Sequence, residues 1–453
     1  MLLAILALAL AAYAAVAIHL RTRAAARIEA AADAAQWKYA ELEQYVAETG
    51  MPLPGAIVRL DVFDANVKRM ARLARDQGKT IRVATKSVRV PYLIERCLSL
   101  APDVFAGAMC YTVPEAVFLA KTCGVTDVLV AYPTVQPSDL EAAWQVLLSG
   151  AAKLVLMVDC EAHVEALEAL CRVKGRPGAK FSVCLDIDVA CRPLGGASLL
   201  HLGARRSPLH GPDAVRRLVG RIQQSPNVRI VGAMAYDAHV AGVQDALPFT
   251  WLLNPVLRAA RRLFAYDVRR QRRAAAMQLA AAGVQLEFFN GGGTGSAELA
   301  VADATLSEIT VGSGLLQSSL FDHFHTGQLS QPAMLVGLQV TRRPSSSFVT
   351  CHSGGFIASG SPSPAAAPHV FLPRGLAPTS GEGWGEVQTP LSGAAVASLA
   401  PGSAVFVRTA KAGEIAERFR TYQIATRVVD GATARLEPVA VVPTYRGLNE
   451  CFL

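Results

Sequence analysis

The sequence predicts an α/β chain: a (β/α)8 barrel followed by a smaller all-β domain. Three observations point there. Eight short apolar runs alternate with helix-like stretches between residues 81 and 312. Such alternation means parallel strands joined by crossover helices, and eight units suit a closed barrel better than an open doubly wound sheet. Past Gln317 the texture changes to Ser-, Pro- and Gly-rich stretches around short β-like runs. The chain's 453 residues also exceed one ordinary domain and leave room for a second.

Met1–Leu20 is almost wholly apolar, with His19 its only plausible charge. That length matches the roughly 20 residues a helix needs to cross a bilayer. The run lacks the basic start and cleavage site of a secretory signal. Arg21, Arg23 and Arg27 follow it, and basic residues favour the cytoplasmic side. The expectation is a single-pass transmembrane anchor over residues 1–20, with the catalytic domain cytoplasmic; a buried helix is the alternative. Residues 21–50 read as a helical linker, 51–324 as the barrel and 325–453 as the β-rich C-terminal domain.

Ala56–Leu60 reads as an early strand, free to pair with the C-terminal domain, and Asp61–Gln77 as a helix. In the latter, Val62, Val67, Met70 and Leu73 recur at helical spacing. The expected barrel strands are Ile81–Thr85, Asp103–Ala108, Asp127–Tyr132, Lys153–Asp159, Lys180–Asp188, Val228–Tyr236, Gln285–Asn290 and Glu308–Gly312. In the second domain they are Ala333–Val340, Phe348–Cys351, Ala404–Val407 and Arg435–Val442. Nine scattered cysteines without a Cys-x-x-Cys pair fit a reducing compartment.

The net charge of +8 is concentrated in one predicted helix, Thr250–Ala282, which holds Arg258, Arg261, Arg262, Arg269, Arg270, Arg272 and Arg273. Two readings stand: contact with anionic lipid beside the anchor, or a solvated helix face. No nucleic-acid motif accompanies the charge, so no nucleic-acid partner is expected.

The chemistry lies at the strand ends, where barrel active sites are built. Lys86 ends the first strand in Arg-Val-Ala-Thr-Lys-Ser. Asn290–Ser296 follows the seventh as Asn-Gly-Gly-Gly-Thr-Gly-Ser, and Gly312 and Ser313 follow the eighth. An amine can form a Schiff base with an aldehyde, and glycine-rich turns let backbone N–H groups approach a phosphate. Together they predict a pyridoxal 5'-phosphate site. Asp186, Asp188 and Arg192 close the fifth strand, and Tyr236 and His239 the sixth.

These segments, with Asp-Ile-Asp-Val-Ala-Cys-Arg and Ser-Glu-Ile-Thr-Val-Gly-Ser-Gly, resemble the fold-type III pyridoxal phosphate enzymes with an alanine racemase-like barrel. The likeness is to their D-threonine aldolase and D-serine dehydratase branch. It implies that Lys86 carries the cofactor and acts as base. It implies that Arg192 contacts the ring or its oxygen and that Tyr236 borders the ring. Gly292, Gly293, Thr294, Gly312 and Ser313 would hold the phosphate. The implied activity is a lyase acting on a β-hydroxy D-amino acid, by retro-aldol cleavage or dehydration, in a homodimer. Racemisation is an alternative, with Tyr422 or Tyr445 as second base; a non-catalytic role in cofactor homeostasis is another.

The sequence departs from the branch in its metal region. The branch binds a divalent cation through a C-terminal His-x-Cys or His-x-Asp. Here the corresponding stretch is Arg408–Glu414, with neither histidine nor cysteine. Glu382, Glu386 and Glu414, with Cys351 and His352, are the remaining candidate ligands for a hard divalent cation. The metal ligands therefore stay unassigned.

Overall fold

The computed structural model describes residues 9–16, 18–19, 37–193, 200–325, 330–361 and 363–453. Half of the expected anchor (residues 1–8, 17 and 20), and residues 21–36 of the expected linker, lie outside the described residues. Among the described residues no helix is long and apolar enough to cross a membrane. The rest of the linker contains the helix Tyr39–Thr49, which buries Leu42 and Tyr45.

Strand β1, Gly55–Arg59, is buried along its whole length. The barrel follows: β2 Thr80–Ala84, β3 Phe105–Cys110, β4 Asp127–Val130, β5 Lys153–Val158, β6 Phe181–Asp186, β7 Val228–Ala235, β8 Phe288–Gly291 and β9 Glu308–Val311. They pair in sequence order, all parallel, and β2 closes on β9 with Ile81 opposite Ile309. All eight predicted strands are present, with ends shifted by a few residues. Barrel strands are buried on both faces, which is why they read as continuous apolar runs rather than alternating ones.

The second domain holds β10 Met334–Ser345, β11 Phe348–His352, β12 His369–Leu372, β13 Leu376–Pro378, β14 Gln388–Gly393, β15 Ala404–Arg408, β16 Thr421–Asp430 and β17 Thr433–Pro443. With β1 they form a nine-stranded, mostly antiparallel sheet. The early strand does pair with this domain: β1 lies between β10 (Ile57 opposite Leu335) and β16 (Ile57 opposite Gln423). A segment ahead of the barrel thus completes the core of the domain after it.

Two polar ties hold the segment that runs from the barrel rim to the sheet. Asn66, on the helix Leu60–Arg75, donates to Leu315 O at 3.0 Å and Gln331 O at 2.8 Å. Buried Arg408, at the end of β15, is ion-paired with Asp322 and donates to Gln317 O at 2.8 Å.

Candidate active site

The chain turns sharply after β2. Thr85–Ser87 forms a single 3-10 turn, with Thr85 Oγ1 donating to Met109 O at 3.0 Å. Lys86 therefore projects from the rim, and its Nζ donates to Tyr132 Oη at 2.9 Å. Arg89 folds back beneath the turn, with Nε on Lys86 O at 3.0 Å and Nη1 on Glu417 Oε1 at 2.7 Å. Glu417 belongs to the second domain, so that domain holds the lysine turn from outside. Gly413 lies so close that a Cβ there would run into Lys86 O.

The glycine turns lie beside this lysine turn, since β9 pairs with β2 in the closed barrel and β8 pairs with β9. Gly292 adopts φ +75°, and a Cβ on it would lie 2.5 Å from Ala300 Cβ, so a side chain is excluded twice. Thr294–Ser296 starts a 3-10 turn and Ser313–Leu316 a short helix. The two are stitched together: Gly314 N–H donates to Thr294 Oγ1 at 3.0 Å, and Ser313 Oγ bonds Ser87 Oγ at 3.2 Å. The first N–H groups of such turns lack intrahelical acceptors, which suits a phosphate.

This corner is braced from behind by the long helix Asn254–Ala281. Buried Arg272 donates to Ala235 O at 2.8 Å and pairs with Asp237 at 3.3 Å and Asp303 at 3.2 Å. Buried Arg261 donates to Val240 O at 3.0 Å and to Gly295 O, and faces Asp245 at 3.4 Å. The arginine run is therefore neither a purely solvated face nor a purely lipid-facing one. Two of its seven members are internal struts.

The far wall is built differently. Asp186 ends β6 and lines the cavity. Burial, with Asp159 and Asp188 nearby, pushes its carboxyl up to about 7 against the opposing pull of Arg206. Tyr236 follows β7 and lines the same cavity, and burial pushes its phenol up to about 12. Asp188 is fully engaged: Oδ1 accepts from Ala190 N–H at 2.8 Å, and Oδ2 holds Arg192, with His210 at 3.4 Å.

The structure gathers Lys86, Tyr236, Gly292, Gly293, Thr294, Gly312 and Ser313 around one cavity of about 490 Å³. Arg192 is not among its lining residues; Asp188 holds that guanidinium, and Arg206 occupies the cavity wall instead. His239 packs edge-on against Phe264, away from the cavity wall. Tyr132, Arg89, Arg206 and Lys411 also line the cavity and were not found from sequence. Tyr132 could have been, since it ends the third predicted strand. Tyr422 and Tyr445 do not line it. Tyr422 is fully buried, and Tyr445 Oη donates to buried Glu115 at 2.9 Å.

The residues present fit pyridoxal phosphate: an amine, a glycine cradle with a close-packed floor, and an aromatic wall share one cavity. They do not fit a divalent cation at the cavity mouth. Glu414 accepts from Ser359 N–H at 2.9 Å and Ser359 Oγ at 2.5 Å, and pairs with Lys411 Nζ at 3.0 Å. Lys411 in turn donates to Ser359 O and Oγ, each at 2.8 Å. Burial pushes the Glu414 carboxyl up, but the bonds from Ser359 and Lys411 outweigh it and hold it below the ordinary range. An ammonium thus already occupies the carboxylate. Ala410 and Ala412 flank it without donor atoms, and Glu382, Glu386, Cys351 and His352 lie off the cavity wall. Among the described residues one three-member donor group occurs, Asp159, Cys160 and His163. It serves the start of the helix Glu161–Lys174, where His163 Nδ1 accepts Asp159 N–H at 3.3 Å.

Comparison with known proteins agrees with this geometry. D-threonine aldolase of Arthrobacter sp is 26% identical over 273 residues, 59% of this chain and 63% of that protein. 3-Hydroxy-D-aspartate aldolase of Paracoccus denitrificans is 26% identical over 284 residues, 62% of this chain and 64% of that protein. The matches span less than two thirds of those relatives' length. The solved D-threonine aldolase from Filomicrobium marinum shares the fold with a TM-score of 0.70 at 21% identity, covering 88% of this chain and 96% of that one. D-threo-3-hydroxyaspartate dehydratase from Delftia sp. HT23 does so with 0.63 at 19%, covering 86% and 97%. Residues 58–318 match the family described as alanine racemase, N-terminal domain, and the chain belongs to that family.

Proposed function

We propose that this chain is a pyridoxal phosphate-dependent lyase acting on a β-hydroxy D-amino acid. The observation that carries the reading is the meeting of Lys86 and two glycine turns in one cavity at the C-terminal ends of β2, β8 and β9. The aldolases and the dehydratase it resembles support the substrate class.

Bound there, the cofactor supplies an electron sink for bonds at the substrate's Cα. The chain supplies the rest. Lys86 Nζ provides the attaching amine and then carries a proton to or from Cα. Tyr132 Oη, 2.9 Å away, fixes where that nitrogen points. The glycine turns hold the phosphate and so fix the ring's position. Tyr236 borders the ring, and Arg206 offers a cation to the substrate carboxylate from the opposite side.

The reading extends to assembly and place. The chain acts as a homodimer, supported by the family resemblance. Residues 1–20 anchor it with the catalytic domain on the cytoplasmic side, supported by the apolar run and Arg21, Arg23 and Arg27. Retention of full-length protein in membranes after a high-salt wash tests the anchor, and release into the soluble fraction rejects it.

The functional test is product analysis with cofactor-loaded protein and paired D- and L-β-hydroxy amino acids. Aldehyde, or ammonia with a keto acid, should form from the D series. Interconversion of enantiomers without either product would make the chain a racemase.

A further inference from the structure

Asp186 closes β6, four strands around the eight-stranded barrel from the strand that carries Lys86, so the two residues face each other across the cavity. Its neighbour Asp188 is occupied, bound to Ala190 N–H and Arg192 with His210 at 3.4 Å. Asp186 alone points its carboxyl into the cavity with no hydrogen bond or ion pair among the described residues. A buried carboxyl without a partner costs free energy, and such groups gather where a substrate completes them. The cavity mouth meanwhile lacks a donor set for a cation, because Lys411 and Ser359 engage Glu414. A substrate hydroxyl entering this cavity needs another way to lose its proton.

Resting on the lyase reading, we infer that Asp186 is the catalytic base that takes the proton of the substrate's β-hydroxyl during carbon–carbon cleavage. The O–H bond breaks and its proton moves to an Asp186 Oδ. The Cβ–O bond becomes a carbonyl as the Cα–Cβ bond breaks. The pair of that bond stays with Cα, and Lys86 Nζ discharges it with a proton. An aldehyde and a shortened amino acid leave, and Asp186 returns its proton to solvent as Lys86 regains one. No oxidant or reductant is consumed. Burial first, and then Asp159 and Asp188, hold the proton on this carboxyl, and Arg206 draws it off.

The test compares wild-type protein with Asp186→Asn and Asp186→Glu, all loaded with cofactor. Aldehyde release from D-threonine should fall about 10²–10⁴-fold in Asp186→Asn and partly recover in Asp186→Glu. Exchange of the α-proton of D-alanine with D2O needs no hydroxyl and should stay within about threefold of wild type, while cofactor affinity by absorbance titration stays unchanged. Infrared difference spectra between acid and alkaline buffer should show a carboxyl signal that Asp186→Asn loses. Cleavage by Asp186→Asn within about threefold of wild type overturns the role. So does equal loss of cleavage and α-proton exchange, which marks a structural effect. If wild-type protein with bound cofactor releases ammonia and a keto acid but no aldehyde, the Asp186 role falls while the lyase reading stands; if it releases neither from any β-hydroxy D-amino acid, the lyase reading itself falls. Should Asp186→Asn not fold, the pH profile of Asp186→Glu decides: its acid limb should move, and an unmoved limb rejects the base.

Discussion

The two sides of the cavity are built on opposite plans. At the phosphate end, Gly292 admits no Cβ, Ser313 and Thr294 are stitched to neighbouring turns, and buried Arg261 and Arg272 brace the corner. On the β6 side, Asp186 and Arg206 face the cavity without an ion-pair partner among the described residues. One side is finished before any ligand arrives; the other has polar groups left to be satisfied. A cofactor that stays bound rewards the first plan, and a substrate that comes and goes rewards the second.

The sharpest way to break this contrast is to remove a strut. Arg272→Ala strands the buried carboxylates of Asp237 and Asp303, and should cost about 3–5 kcal/mol in urea unfolding and weaken cofactor binding. An unchanged midpoint would mean the corner does not depend on its brace. Arg206→Ala should do the reverse. It should raise the KM for substrate by roughly 10–100-fold, the worth of a hydrogen bond to a charged group, and leave unfolding and cofactor affinity alone. Loss of stability there would erase the distinction between the two sides.

Acidity sharpens the contrast further. Asp186 is held near 7 in the folded chain, above its ordinary value near 3.9. The folded state therefore binds the proton more tightly than the unfolded state. That contribution is complete below the ordinary carboxylate range and lost as the pH rises to about 7. Asp186→Asn should accordingly raise stability in neutral buffer relative to acid buffer, compared with wild type. An unchanged balance would show that another group sets it, with buried Glu115, also pushed up to about 7, the next to replace. The smallest effect is expected at Tyr132→Phe. It removes the 2.9 Å bond to Lys86 Nζ and should slow turnover by about 3–10-fold, with KM little changed.

Legibility in the sequence divides along the same line. The barrel strands were readable because both faces are buried and each run stays apolar. The lysine and glycine turns were readable because they sit directly at strand ends. Arg206 comes some twenty residues after β6, in a loop with no periodic pattern to place it. Lys411 and Ser359 come from separate segments of the second domain and meet only in three dimensions. Arg192 was assigned from a motif, but the motif does not say that Asp188 holds its guanidinium off the cavity. In the sheet domain, β14 was missed because Thr389, Pro390, Ser392 and Gly393 read as loop. It is nonetheless held on both edges, by β11 and β13.

One measurement reaches the centre of the account. Purified protein loaded with pyridoxal phosphate is reduced with borohydride, digested, and the labelled peptide sequenced. Lys86 and Lys411 are the lysines that line the cavity among the described residues. The account predicts one label per chain, on Lys86, with none in Lys86→Ala. A label on Lys411, or no label in wild-type protein saturated with the cofactor, would contradict it.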